Sequence, residues 1–351
     1  ASRVAILKHF ADVIWESDSD AYVILEHFSE NAEEFELADY GTMLWGNLSG
    51  NFFNTAMGIA SDFKWGYYKS RGWNQNALIG YMESHDEERI LYEVGERSLE
   101  SFETQINRLV QNALFFFAIP GPKMLWQFGE FGYDLELNND RLGVKPTKWE
   151  YLQDDRRKKL LKAYQAMINL KTQTNYLDDK YFDWQPSGSV KWITYQHPDV
   201  DIVIYGNFTK QNQETSRYFT KTGTWYNYLT GQTISVDDLN EKVILSPASF
   251  GIYSNKPIEN YIEDMVGDYL NKISEENPKI ELFSPNPAIN FIQIDQAAGW
   301  IKYEIYNLTG ELIKSGIPEN NVIDVSDLSM GVYLINFENK IFSRTKKLIK
   351  N

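Results

Sequence analysis

Three apolar runs in the first half of the chain end close to carboxylates. Leu25 is followed by Glu26, His27 and Phe28. Met82 is followed by Glu83, Ser84, His85 and Asp86. Trp126 is followed by Gln127 and then Glu130. Two carboxylates facing one another suit the cleavage of a glycosidic bond: one donates a proton to the leaving oxygen, and the other acts as nucleophile or activates water. A carboxylate at the end of a buried strand is partly desolvated, which raises its pKa as a general acid requires. The competing reading is a loop salt bridge or a neighbour of a helix cap. Glu26 alone does not decide between them, whereas Glu26 and Asp86 ending different strands of one sheet favour chemistry.

These residues need a scaffold. Over residues 1–177, helix signals alternate with short apolar runs. Val4, Leu7, Phe10, Ala11 and Ile14 fall at helical spacing and predict a helix over 3–16 rather than a signal peptide, so the chain is expected to begin inside a domain. The apolar runs are 22–25, 42–45, 78–82 and 123–126, with further helices expected over 99–118 and 154–171. Short apolar runs between helices indicate parallel strands buried on both faces, an α/β architecture. Four such strands suit the second half of a (β/α)8 TIM barrel, whose C-terminal strand ends form the active-site face. From 178 to 255 the pattern changes to short alternating strands at 190–195, 202–205, 224–228, 242–245 and 250–253, an antiparallel β-sandwich. Residues 256–280 are charged and polar and read as a linker. Residues 281–351 read as a small C-terminal all-β sandwich domain with a basic end.

A net charge of −15 disfavours nucleic acid and anionic membrane surfaces as partners, but not a neutral polymer. No run reaches the length of a membrane span. Ten Trp and 22 Tyr would serve to stack on sugar rings, or simply to fill cores. Four His and no Cys leave no zinc constellation, and Gly121, Gly129 and Gly132 lack the spacing of a phosphate loop. No metal or cofactor site is expected in this chain.

Three segments, in order, resemble motifs of the α-amylase family of glycoside hydrolases. AYVILEHF is similar to the fifth barrel strand, GYMESHDEERI to the seventh-strand motif, and IPGPKMLWQFGEFG to the eighth. Residues 178–255, ending in SPASFGIYS, look like the family's C-terminal β-domain. The resemblance implies that Glu26 is the acid/base and that Asp86 stabilises the transition state, with His85 on the substrate. The substrate-contacting candidates are His85, His27, Trp45, Trp126, Gln127 and Glu130, with Phe52 and Tyr81 as further stacking platforms. Ser84 stands where the family usually has Asn. The implied chemistry is retaining hydrolysis of α-glucans such as starch, glycogen or maltooligosaccharides. The family's nucleophile Asp lies on a fourth strand that would precede residues 3–16, and the calcium that family members often hold lies in a domain further upstream. The chain alone is therefore expected to be inactive. A non-catalytic carbohydrate-binding or surface protein and a transglycosylase or branching enzyme are the alternatives.

The last seventy residues resemble the C-terminal sorting domain of the type IX secretion system, through FSPNPAINFIQI, YEIYNLTGELI and IDVSDLSMGVYLINF. Pro285, Asn286 and Pro287 form the opening, and Leu328, Gly331, Val332 and Tyr333 the later block. The resemblance implies a partner in that machinery for residues 281–351, and a product of a Bacteroidetes-type Gram-negative cell that passes the periplasm and is secreted or surface-attached.

Overall fold

The structure is a computed structural model that describes residues 2–137, 142–258, 283–294, 302–307, 311–318, 321–338 and 343–351. The chain divides into two units, Ala1–Glu276 and Asn277–Asn351.

The first unit begins as alternating helices and strands: α1 (Arg3–Ser17), β1 (Ile24–Leu25), α2 (Asn31–Tyr40), β2 (Met43–Asn47), α3 (Ser49–Ala56), β3 (Leu78–Tyr81), α4 (Ile90–Arg97), α5 (Phe102–Ala118) and α6 (Asp155–Gln173). Strands β1, β2 and β3 pair in parallel, with Leu25 beside Leu44 and Asn47 beside Tyr81. The fourth expected run contributes one parallel bridge, Lys123 beside Gly80. Pro120 and Pro122 lack amide protons and Phe128 turns into the left-handed region at φ 58°, so little ladder can form there. The expected helix over 99–118 is α5, and α4 before it is a helix the spacing did not predict. Ser101 caps α5 by accepting from the Thr104 amide at 3.2 Å, and Asp154 caps α6 by accepting from the Arg156 amide at 2.9 Å.

From 182 onward the unit is antiparallel. Strands β4 (Phe182–Gln185), β5 (Val190–Gln196), β6 (Asp201–Asn207), β7 (Gln213–Ser216), β8 (Gly223–Asn227), β9 (Thr233–Val236), β10 (Lys242–Leu245) and β11 (Phe250–Ser254) form two sheets. One has the order β4-β5-β6-β11-β8-β9, and the other pairs β10 with β7. The six-stranded sheet packs on the helices through a shared core in which Phe115, Ala118 and Met167 meet Tyr195, Ile204, Phe208 and Ile252. Polar bonds cross the same layer. Tyr195 Oη donates to the Ala118 carbonyl at 2.6 Å, and Gln111 Nε2 donates to the carbonyls of Asn207 and Ser249 at 3.1 and 3.2 Å. Packing therefore runs without a break across residue 178.

The second unit has β12 (Phe283–Ser284), β13 (Phe291–Ile294), β14 (Lys302–Tyr306), β15 (Leu312–Gly316), β16 (Val322–Asp324), β17 (Gly331–Glu338) and β18 (Ser343–Lys350). Two sheets, β12-β13-β16 and β15-β14-β17-β18, enclose Phe283, Ile292, Ile305, Ile323, Ile335, Phe337 and Leu348. The Asn286 side chain acts on β18 as a peptide group would: Nδ2 donates to the Lys347 carbonyl and Oδ1 accepts from the Ile349 amide, both at 2.9 Å. Most of the expected linker over 256–280 lies outside the described residues.

The outer stripe of α1 is apolar and exposed: Ile6, Phe10, Val13 and Ile14, with Phe10 58% exposed. Tyr22 and Ile24, at the open edge strand β1, are exposed as well. The chain is expected to self-associate at micromolar concentration, and Phe10→Glu with Ile14→Glu to shift it toward monomer. Sedimentation velocity checks both, and a monomeric wild-type chain would contradict the expectation.

Candidate active site

The in-register strand ends bring Glu26, Asn47 and Tyr81 to one side of the parallel sheet. At the centre stands the buried Tyr81 hydroxyl. Its pKa is raised first by burial, then by the Glu87 carboxylate, then by Glu26 and Asp86. Of these carboxylates, Glu87 is the one that accepts from the Tyr81 hydroxyl. Trp45, one strand over, meets the Tyr81 ring edge-to-face with centroids 6.2 Å apart.

The loop after β3 is held by its own side chains. Glu87 accepts from Asn47 Nδ2 at 2.5 Å, from Tyr81 Oη at 3.4 Å, and from the Ser84 hydroxyl. Ser84 Oγ in turn accepts from the Asp86 amide at 3.1 Å. Ser84 thereby sets the backbone of Asp86. His85 Nε2 lies 3.4 Å from Asp86 Oδ2, and its ring is 5.8 Å from that of Trp126. Glu26, Asp86, His85, Trp45 and Trp126 therefore gather around this end of the sheet.

The other candidates lie elsewhere. His27 Nε2 sits 3.2 Å from Glu33 Oε2 on α2. Arg3 and Ser29 also bind Glu33, and Arg3 above all holds that carboxyl down to about 2. Alternation along an extended chain sends Glu26 and His27 to opposite sides. Gln127 has an exposed side chain, and its backbone carbonyl accepts from Arg89 Nη2 at 2.7 Å. Glu130 is half-buried with its pKa raised by burial, partly offset by its own backbone amide and by Arg89. Glu26 and Asp86 are exposed, which departs from the desolvation expected of a strand-end acid. The physical reason for Glu26 is that β1 is an edge strand with no neighbour beyond it among the described residues.

Glu83, the first carboxylate after the 78–82 run, is occupied. Oε1 accepts from the Ile90 amide that opens α4, and Oε2 accepts from Arg89 Nη2, both at 2.8 Å. The Arg89 guanidinium also lies 4.7 Å from the Tyr133 ring centroid. Glu87 and Asn47 are the site residues that sequence reasoning missed. The available signals were a second acidic residue directly after His85-Asp86 and a polar residue ending β2. Among the described residues, no group of three or more His, Asp and Glu could hold a metal ion.

Comparison with known proteins bears on the fold. Residues 283–351 match the family profile of the secretion system C-terminal sorting domain. The sequence has no significant match among curated proteins. In three dimensions the chain is similar to the α-amylase of Geobacillus thermoleovorans complexed with acarbose, at 12% identity and TM-score 0.53 over 72% of this chain and 57% of that one. It is similar to AmyP in complex with maltose, at 13% identity and TM-score 0.53 over 73% and 63%. It is also similar to a cyclomaltodextrinase, at 17% identity and TM-score 0.54 over 72% and 43%. The chain has an α-amylase-like fold and spans less than two thirds of the length of these structures.

The Arg89–Glu83 pair is nearly dry, with side chains 4% and 11% exposed. Removing one partner of such a pair strands a charge. Glu83→Ala is expected to destabilise the first unit by about 3–5 kcal/mol, read by urea unfolding. A change within about 0.5 kcal/mol, typical of a surface substitution, would contradict this account.

Proposed function

We propose that residues 1–177 are the second half of a (β/α)8 barrel and residues 178–255 the C-terminal β-domain of a retaining α-glucan hydrolase. In this reading 256–280 form a linker, and 281–351 address the product to the type IX secretion machinery. The observation that carries the catalytic reading is that Glu26 follows β1 and Asp86 follows β3, at the same end of one parallel sheet.

In the complete site Glu26 protonates the leaving glycosidic oxygen and later takes a proton from water. Asp86 and His85 bind hydroxyls of the sugar at the scissile bond, with contacts that strengthen as the ring flattens. Ser84 and Glu87 hold the Asp86 backbone for that task. Trp45 and Trp126 offer ring faces to the substrate. The covalent step needs a nucleophile. Glu83 is committed to Arg89 and the α4 amide, and Asp86 has the stabilising role, so neither of them serves as that nucleophile. Glucan binding without hydrolysis is the second reading, favoured by the exposure of both Glu26 and Asp86.

The purified chain is expected to release no reducing sugar from soluble starch, and Glu26→Gln to behave identically. Release that Glu26→Gln abolishes would place a working nucleophile within these residues and overturn the assignment. For sorting, deletion of residues 283–351 in a type IX-competent host is expected to leave the protein in the periplasm. Unimpaired export of the deleted form would refute the address.

A further inference from the structure

We propose that Trp149 is a sugar-stacking platform that extends the glucan-binding face outward from Trp126; the proposal rests on the α-glucan reading above. Trp149 lies on the segment joining the 123–126 run to α6. Because that run is parallel to β3, the segment leaves the same side of the sheet as Glu26 and Asp86. Trp149 is 64% exposed, which for a residue bearing an indole leaves apolar surface in water. A lone exposed aromatic is common. This one is braced.

The bracing runs back to the candidate site. Phe128 meets the indole edge-to-face with centroids 5.0 Å apart. Phe128 is itself buried and held at φ 58°, a conformation that non-glycine residues keep only where their surroundings enforce it. Phe131 and Tyr133 supply that enforcement, with centroids 5.8 and 6.1 Å from Phe128. Tyr133 Oη ties back to the Pro146 carbonyl at 2.8 Å, fixing the segment that leads to Trp149. Two residues before Phe128 is Trp126, in ring contact with His85. A ring face fixed in advance binds a sugar without first losing side-chain freedom. The flanking charges suit a neutral ligand, because Lys148 Nζ and Glu150 Oε1 pair with each other at 3.1 Å.

The test is isothermal titration of the chain with maltoheptaose. Trp149→Ala is expected to raise Kd about tenfold, while Trp149→Tyr keeps it within about threefold. The thermal midpoint should be unchanged in both. Should Trp149→Ala fold poorly, Trp149→Gln serves the same comparison. Wild-type affinity in the Ala or Gln variant overturns the platform and leaves the glucan reading intact. Absence of maltoheptaose binding by the wild-type chain overturns both.

Discussion

One cation removed from water organises the candidate site. Arg89 is buried, and its guanidinium meets the Glu83 carboxylate, the Gln127 carbonyl and the Tyr133 ring. These partners come from the loop after β3 and from the loop after the 123–126 run, so the two loops cannot move independently without stranding a charge. The tolerance is small. A Cβ at position 129 would stand 2.8 Å from Glu83 Oε2, so only glycine lets the second loop approach this closely. His85 and Trp126 meet because Arg89 has already joined their loops.

Behind the site a second constraint operates. The helices and the six-stranded sheet share an apolar core in which a few polar groups must find partners in one geometry only. Gln111 reaches two carbonyls of the sheet, and Tyr228 Oη reaches the Ala166 carbonyl at 3.1 Å. Position 206 must be small, since a Cβ there would come 2.3 Å from Gln111 Nε2. Hydrogen bonds made in a dry layer specify one arrangement more sharply than apolar contact does. The β-layer therefore acts as a rigid backing for the helices that support the parallel strands.

How much of this was legible depended on how local each signal was. The apolar runs at 22–25, 42–45 and 78–82 became strands, and helical spacing located α1 and α6 to within two residues. The run at 123–126 looked the same, yet its flanking prolines reduced it to a bridge. Strands β4, β7 and β9 escaped notice because they are short and largely polar or exposed, with few inward residues to set a period. The site was legible as residue types and not as partnerships. Glu83 reads like Glu26 in the sequence. The carbonyl that shares its arginine lies 38 residues beyond that arginine and leaves no trace in the spacing. Glu87 escaped because its role comes from Asn47, which only the register of β2 beside β3 brings near.

In the second unit, the strand that ends the chain lies between β17 and the Asn286 side chain. The Ala288 amide also donates to the Ile349 carbonyl at 2.8 Å, and the Asn351 amide to the Ala288 carbonyl at 2.9 Å. The opening of the unit is thus fastened to Lys347, Ile349 and Asn351. Fraying of β18 at this end would release residues 286–288 with it, so the first and last segments of the unit come loose together or not at all.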